Sequence, residues 1–253
     1  MSSITVAAIA FACTFGGAMV GMLLQRVLPQ SHLRPESKEV IKLGTGLIAT
    51  MAALVLGLLI GTAKTSFDAQ SSGFHQLATN LILLDRTLAH YGPDAQQARA
   101  QLKGTVASVI ERLWPTSGVH STALQDSSIT DDASVLYDSI RSLAPSDDFH
   151  RSLQAQAFQI SADLARNRWQ LSQPTDGSLP IPFLVVLAFW LFVLFSSFGL
   201  FSPANGTVIA VLLVCALSVS GAVLLIVDLD QPFEGLLHVS SASLRNALGQ
   251  LGK

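Results

Sequence analysis

Four stretches of the chain are apolar over about the length of a membrane-spanning helix. They run from Ile4 to Leu24, from Leu43 to Ala63, from Leu179 to Phe201 and from Thr207 to Val227, and none of them contains Asp, Glu, Lys or Arg. A helix needs roughly 20 apolar residues to cross about 30 Å of hydrocarbon. The pattern therefore predicts four transmembrane helices. Pro203 and Gly206 lie between the last two, which predicts a tight hairpin.

The long stretch between the second and third apolar segments has helical periodicity. After a first gap of seven, its apolar positions alternate three and four apart, as in a helix packed lengthwise on another helix. We expect one continuous helix from about Thr45 to Tyr91, ended by Gly92 and Pro93. The positions of this seam are Phe67, Phe74, Leu77, Leu81, Leu84, Leu88 and Tyr91.

Three further helices are predicted in this insertion. The first runs to about Trp114 and the second covers Asp131–Leu143, after a loop at 116–130. The third is expected to begin at Ser146 as N-cap, with Asp147 and Asp148 in its positive first turn. Its predicted apolar stripe is Phe149, Leu153, Ile160, Leu164 and Leu171.

The predicted fold class is therefore an all-α membrane protein. It has four transmembrane helices and an α-helical extramembrane bundle inserted between the second and the third. The expected divisions are the first two helices with their loop at 1–63, the helical domain at 64–178 and the transmembrane hairpin at 179–228. A turn followed by an amphipathic helix completes the chain at 229–253.

Composition and charge agree with a membrane protein. Of 253 residues, 50% are hydrophobic and 13% are charged, whereas a soluble domain carries about 25% charge. The net charge of −2 gives no basic face for nucleic acid. The connection from Gln25 to Lys42 contains four basic residues, Arg26, Arg34, Lys38 and Lys42. Short loops rich in Lys and Arg stay in the cytoplasm, which predicts a cytoplasmic location for this connection. The insertion and both termini are then extracytoplasmic, and the first segment is an anchor rather than a signal peptide.

Motifs for catalysis or metal binding are not evident. The two cysteines, Cys13 and Cys215, lie in apolar segments, where we expect them to pack as small hydrophobic side chains. The six histidines have no zinc-ligand spacing, and there is no nucleophile elbow, P-loop or dinucleotide fingerprint. We expect neither an enzyme nor a bound cofactor or metal.

Small and hydroxyl residues form faces on three of the apolar segments. Such faces let helix backbones approach closely in lipid. Two interpretations stay open: the first and second helices pack on each other through these faces, or part of the surface lies at a subunit interface or along a narrow pathway. Bulky aromatics predict a lipid-facing third helix. The small-residue positions are Thr14, Gly17 and Gly21, then Gly46, Thr50, Gly57 and Gly61, then Ser218 and Ser220.

The end of the fourth segment concentrates acidic and turn-forming residues. Asp228 and Asp230 stand where the helix would leave the bilayer, followed by Pro232, Glu234 and Gly235. One interpretation is a solvated acid pair that caps a turn. The other is a ring of acids at a pore mouth after oligomerisation, since such rings select cations.

Several short motifs occur along the chain in the same order as in one known family. They are Lys64-Thr65-Ser66-Phe67-Asp68, Leu84-Asp85-Arg86 with Tyr91-Gly92-Pro93, Trp114-Pro115, Leu179-Pro180, and Leu229-Asp230-Gln231-Pro232-Phe233-Glu234-Gly235 with Val239-Ser240. Over nearly the whole chain this order resembles the bacterial membrane family called bestrophin-like. The resemblance implies the plan of the bestrophins, which are pentameric anion channels with four membrane helices and a helical extramembrane part per subunit. The chain departs from them in having no acidic run like their calcium clasp and no clear pore-neck motif.

The first functional hypothesis is accordingly a homo-oligomeric ion channel or pore of the bacterial inner membrane, pentameric by the resemblance, with small inorganic ions as its cargo. The alternative is a non-conducting membrane protein whose helical domain binds a partner or senses envelope stress. A transporter is disfavoured because the apolar segments carry no internal charge.

Overall fold

A computed structural model describes residues 2–28, 35–114, 127–172, 181–230 and 239–253. Over these residues the chain is helical without strands, as predicted. A short 3₁₀ helix covers Pro93–Ala95. The α-helices are α1 (Ser3–Val27), α2 (Pro35–Tyr91), α3 (Gln96–Leu113), α4 (Ser127–Arg141), α5 (Asp148–Ser172), α6 (Ile181–Phe201), α7 (Gly206–Asp230) and α8 (Ala242–Gln250).

The chain forms two compact units. The first unit comprises Met1–Phe67 and Asp176–His238, and the second comprises Asp68–Thr175 and Val239–Lys253. Within the described ranges, four helices are long and apolar enough to cross a membrane, namely α1, α2, α6 and α7, as the apolar pattern predicts. The C-terminal segment from Val239 therefore belongs to the second unit.

Helix α2 is longer than the sequence pattern predicts. It starts at Pro35 rather than near Thr45 and spans 57 residues, which is about 86 Å at about 1.5 Å per residue. Proline is favoured at the first helical position because its fixed φ suits the helix and its missing N–H is not needed there. The helix ends as predicted, since Gly92 adopts φ 104° and Pro93 follows it. This backbone conformation favours glycine.

The core of the second unit forms along the predicted seam of α2. Five of the seven seam positions are buried, and α3 contributes its own inward face to the same core. The apolar periodicity therefore predicted the packing face of this part of α2 correctly. The buried seam residues are Phe74, Leu81, Leu84, Leu88 and Tyr91, and those of α3 are Ala98, Leu102, Val106, Ile110 and Leu113.

The start of α5 differs from the prediction. Asp147, not Ser146, caps the helix, because its Oδ1 accepts a hydrogen bond from the backbone N–H of His150 at 2.8 Å. Phe149 is 61% exposed and so does not belong to the buried stripe. The buried positions of this helix are Leu153 and Ala157. Helix α4 also begins earlier than predicted, at Ser127.

In the first unit, α1 and α6 cross at backbone contact. A Cβ atom added to Gly21 would lie 2.0 Å from the Ser196 carbonyl oxygen, and one added to Gly17 would lie 2.7 Å from that of Phe192. From the other side, a Cβ on Gly199 would lie 2.1 Å from the Ala18 carbonyl oxygen. Glycine is therefore required on both helices. The contact positions increase in number along both helices, from Gly17 with Phe192 to Gly21 with Ser196. Helices α1 and α6 are therefore parallel.

Helix α7 completes the packing around α1. The Ser220 hydroxyl donates a 2.7 Å hydrogen bond to the carbonyl oxygen of Ala7. Helix α7 returns from α6 through the predicted tight turn, where the Asn205 side chain accepts from the N–H of Val208 at 2.9 Å. The start of α1 and the end of α7 consequently lie at the same end of the first unit.

The expectation of a lipid-facing third apolar helix is wrong for one side of α6. Its aliphatic residues Leu187, Leu191 and Leu194 are buried together with Phe195, whereas Phe183 and Phe189 are exposed. The number of aromatic residues does not reveal which side of α6 is buried. The contact of α6 with α1 depends on Gly199 and the neighbouring serines, which stand among seven aromatic side chains.

We predict that Gly21→Ala destabilises the protein by about 2 kcal/mol or more, because the new methyl group meets a carbonyl oxygen that only a backbone shift can move. Gly16→Ala is the matched control on the same helix, since its Cβ would meet no atom of the described residues within 4 Å. The measurement is thermal unfolding of the detergent-solubilised protein. Equal midpoints for the two variants would contradict the tight crossing.

Candidate functional site

The membrane-crossing part of α2 is the least buried of the four apolar helices. Only 11% of its apolar stretch is buried within the chain, against 39% for α1 and 28% for each of α6 and α7. Its large side chains are exposed along much of this length. They include Leu43 at 76%, Leu47 at 63%, Leu54 at 76% and Leu58 at 61%.

Small residues share this exposed side of α2. A Cβ added to Gly46, Gly57 or Gly61 would meet no atom of the described residues within 4 Å. Thr50 is also exposed, and its hydroxyl donates to its own helix at the carbonyl oxygen of Leu47. Together these positions form what we call the open face of α2: Leu43, Gly46, Leu47, Thr50, Leu54, Gly57, Leu58 and Gly61.

The opposite side of α2 belongs to the core of the first unit. Ala52, Leu59 and Ala63 are buried there. Nearer the start of the helix, the hydroxyl groups of Thr45 and Ser197 lie 3.1 Å apart. Alanine and leucine thus hold α2 within the chain, and the glycines point away from this contact.

The small-residue faces of α1 and α2 therefore have different surroundings. Thr14, Gly17 and Gly21 are buried on the side of α1 that packs within the first unit, whereas Gly57 and Gly61 face open space. The structure differs here from the expectation that the first and second helices pack through both faces. The reason is that α6 occupies the glycine face of α1.

The two candidate serines of α7 also separate. Ser220 is buried and joins α7 to α1, so its role is in packing. Ser218 is exposed, and its hydroxyl donates to the Val214 carbonyl oxygen of its own helix at 2.9 Å. Of the two cysteines, Cys13 is half-buried and Cys215 is exposed.

The acidic end of α7 is not a solvated pair. The helix continues through both residues to Asp230, and Asp228 is only 2% exposed. Asp230 is half-buried. An acidic ring at a mouth would therefore depend on Asp230 rather than on both residues. Pro232, Glu234 and Gly235 lie outside the described residues.

Asp85, from the second motif, is a buried structural carboxylate in the second unit. It is 1% exposed and pairs with Arg99 through Nε at 2.8 Å and Nη2 at 2.9 Å. The N–H of Gly252 donates to the same carboxylate at 3.2 Å. Burial alone raises the pKa of Asp85, but the hydrogen bonds from Arg99 and Gly252 outweigh it and hold that pKa below its usual value.

Further contacts hold the C-terminal segment within the second unit. Trp114, from the third motif, donates through Nε1 to the Val239 carbonyl oxygen at 3.1 Å. Arg99 donates to the Lys253 carbonyl oxygen at 3.2 Å. The ring of Trp114 also packs edge-on against Phe74, with centroids 5.6 Å apart. These motif residues hold the segment from Val239 to Lys253 against α2 and α3.

Metal binding finds no support in the part of the chain that the structure describes. Within it, no group of three or more His, Cys, Asp or Glu side chains could hold a metal ion. The main features of the two units are the exposed apolar surface of α2 in the first and the buried Asp85–Arg99 pair in the second.

These features define an all-helical membrane protein whose second apolar helix continues far beyond the length of a bilayer. A family model for the bestrophin-like domain matches residues 12–244. The chain therefore belongs to the bestrophin-like family, as its motifs indicate.

Solved structures support the same fold. A crystal structure of a bacterial bestrophin homologue from Klebsiella pneumoniae carrying an isoleucine-to-threonine mutation has a TM-score of 0.67 and 14% identity, over 96% of this chain and 98% of that one. A second mutant of a Klebsiella pneumoniae bestrophin homologue, with leucine changed to threonine, has a TM-score of 0.63 and 15% identity, over 94% and 98%. No curated protein matches the chain.

We predict that Asp85→Asn destabilises the second unit by about 2–3 kcal/mol, because Arg99 loses its charged partner in a buried site. Asp163→Asn is the matched control: its pair with Arg166 is 3.7 Å long and exposed, and such pairs contribute about 0–1 kcal/mol. Chemical unfolding followed by circular dichroism measures both. A loss as small as that of the control would contradict the structural role of Asp85.

The same pair gives a pH dependence of definite sign. Because the folded-state pKa of Asp85 lies below its usual value of about 3.9, the stabilisation is complete above that pH. It disappears as the pH falls through the folded-state pKa. The stability difference between the wild type and Asp85→Asn should therefore shrink as unfolding is repeated at pH values progressively below 4.

Proposed function

We propose that the chain forms a homo-oligomeric ion channel in which the open face of α2 surrounds an axial pathway. In this proposal the second unit is an extramembrane helical bundle inserted between the second and third transmembrane helices. Conduction is passive, and no catalytic step is involved. The observation that carries the proposal is the exposure of an apolar, glycine-containing face on a helix whose opposite side is well packed.

The composition of the open face suits contacts between identical helices. Glycine and threonine let helix backbones approach closely, and van der Waals packing drives such association in lipid. Gly46, Gly57 and Gly61 provide this room at intervals along α2. Leu54 and Leu58 lie on the same face. Apolar side chains at a narrow point of a pore gate conduction by losing water.

Membership of the bestrophin-like family supports a channel, since the bestrophins themselves are pentameric anion channels. Selectivity is a separate matter, because the open face carries no ionisable side chain. Charge would therefore act at the ends of the pathway. Asp230 is the candidate there, and an acidic ring favours cations, whereas the family resemblance favours anions. Potassium and chloride flux therefore distinguish the two selectivities.

We predict that Leu54→Cys, in a Cys13→Ala/Cys215→Ala background, loses most of its ion flux after reaction with a charged thiosulfonate. The adduct places a charge and added volume on the open face, where it obstructs a narrow pathway. Val185→Cys on α6 is the matched control, because Val185 is also an exposed residue of an apolar helix, at 61%. Potassium and chloride flux from proteoliposomes is measured before and after labelling, and mass spectrometry confirms the adduct.

Two outcomes would contradict this assignment. Equal inhibition of both variants would remove the distinction between the open face and the rest of the membrane surface. Absence of potassium and chloride flux in the unmodified protein, relative to empty liposomes, would favour the alternative of a non-conducting membrane protein whose helical domain binds a partner.

The orientation in the membrane stays a prediction from the distribution of basic residues. We expect Gln156→Cys, at an exposed position of α5, to react with an impermeant maleimide in intact cells. Glu39→Cys, near the start of α2, should be protected, and acidic residues contribute little to orientation. The same cysteine-free background serves both variants. The reverse labelling pattern would place the second unit in the cytoplasm.

A further inference from the structure

Glu39 continues the open face of α2 beyond Leu43, at the start of the helix. It stands four residues before Leu43 and seven before Gly46. At 3.6 residues per turn, Glu39 is about 40° from the first of these and about 20° from the second around the helix axis. Glu39 is exposed, as both of these residues are. The apolar open face is therefore followed, on the same side of α2, by a carboxylate.

The neighbouring lysines lie nearer to the side of α2 that faces α6. The Nζ atom of Lys38 is 5.8 Å from the centre of the Phe201 ring on α6. Seven residues later, the Thr45 hydroxyl lies 3.1 Å from a serine hydroxyl of the same helix. These two contacts mark the side toward α6. Lys42 is about 60° from Thr45 around the helix axis, whereas Glu39 is about 120° away from it. Helical geometry thus separates the carboxylate from the lysines.

Glu39 and Asp230 lie at opposite ends of the first unit. The start of α2 lies beside the end of α6, as the contact of Lys38 shows. The end of α6 lies beside the last turns of α1, which Gly199 contacts, whereas α7 ends beside the start of α1. A pathway along the open face would therefore meet Glu39 at the end that is remote from Asp230.

We propose that Glu39 lines the entrance of the channel at this end and gives the channel a preference for cations. The inference rests on the proposed function, in which every copy turns its open face toward a common axis. Each copy then contributes one carboxylate to a ring, and rings of Asp or Glu side chains favour cations in pores. Because Glu39 is exposed, its charge acts through water and is screened by salt.

Three variants separate the charge of Glu39 from its position. Glu39→Gln removes the charge and keeps the shape of the side chain. Glu39→Asp keeps the charge on a shorter side chain. Glu111→Gln is the matched control, because Glu111 is an exposed glutamate of α3 in the second unit. Both glutamine variants lose the same net charge per chain.

The experiment measures the reversal potential of the full chain in planar bilayers under a potassium chloride gradient. We expect the wild type to favour potassium over chloride. Glu39→Gln should lower the permeability ratio of potassium to chloride by about fivefold, the effect of one charge about 4 Å from an ion in water. Glu39→Asp and Glu111→Gln should behave as the wild type does. The difference should shrink toward 1 M salt, where the screening length is about 3 Å.

A second measurement restores the charge chemically. Glu39→Cys, in the Cys13→Ala/Cys215→Ala background, is labelled with a thiosulfonate that carries either a sulfonate or a quaternary ammonium group. The sulfonate adduct returns a negative charge and should raise the potassium preference toward that of the wild type. The ammonium adduct should lower it below that of the unlabelled variant. A purely structural role of Glu39 would not depend on the sign of the adduct.

The possible failures are distinguishable. Absence of both potassium and chloride conductance in the wild type would contradict the proposed channel itself. A conducting wild type that favours chloride, or a conducting Glu39→Gln variant with the wild-type ratio, would overturn the role of Glu39 and leave the channel standing. An equal change in Glu111→Gln would attribute the selectivity to net charge rather than to this position.

Discussion

The backbones of α1 and α6 touch, and the rest of the first unit depends on this contact. With Gly17 and Gly21 on one helix and Gly199 on the other, carbonyl oxygens occupy the positions where side chains would begin. The contact uses the two glycines of the small-residue face of α1. It also orients α6 so that its aliphatic side packs inward. Helix α7 then packs on α1 through Ser220 and Ala7. Helix α2 keeps a glycine-containing face that none of the other described residues covers.

A second constraint shapes the other unit. Asp85 and Arg99 form a bidentate pair, Asp85 also accepts from the N–H of Gly252, and Arg99 also donates to the Lys253 carbonyl oxygen. Arg99 lies on α3 and Asp85 on α2, so one charged pair joins two helices and the C-terminal segment. The buried pair thus holds the C-terminal segment, which carries α8, against α2 and α3.

Much of the architecture could be predicted from the sequence, because it depends on local patterns. Apolar length predicted the four candidate membrane helices, the heptad seam predicted the buried side of the long helix, and Gly92 with Pro93 predicted its end. The sequence did not show which helices pack on each other. The spacing of Gly17 and Gly21 matches that of Gly57 and Gly61, so spacing alone does not show which pair meets another helix of the same chain. The burial of Asp228 was not predicted for a similar reason, since its position at a helix end resembles that of a solvated acid. The missed partner, Gly199, carried a signal in the small residues Ser196 and Ser197 that precede it.

In the proposed channel, the open face of α2 of every copy turns toward a common axis. Single-particle electron cryomicroscopy of the full chain in lipid nanodiscs tests it most directly. We expect a closed homo-oligomer, of five subunits by the family resemblance, with Gly57, Gly61 and Leu54 of every copy turned toward the axis. A monomer, or a ring in which these residues face lipid on its outer surface, would contradict it.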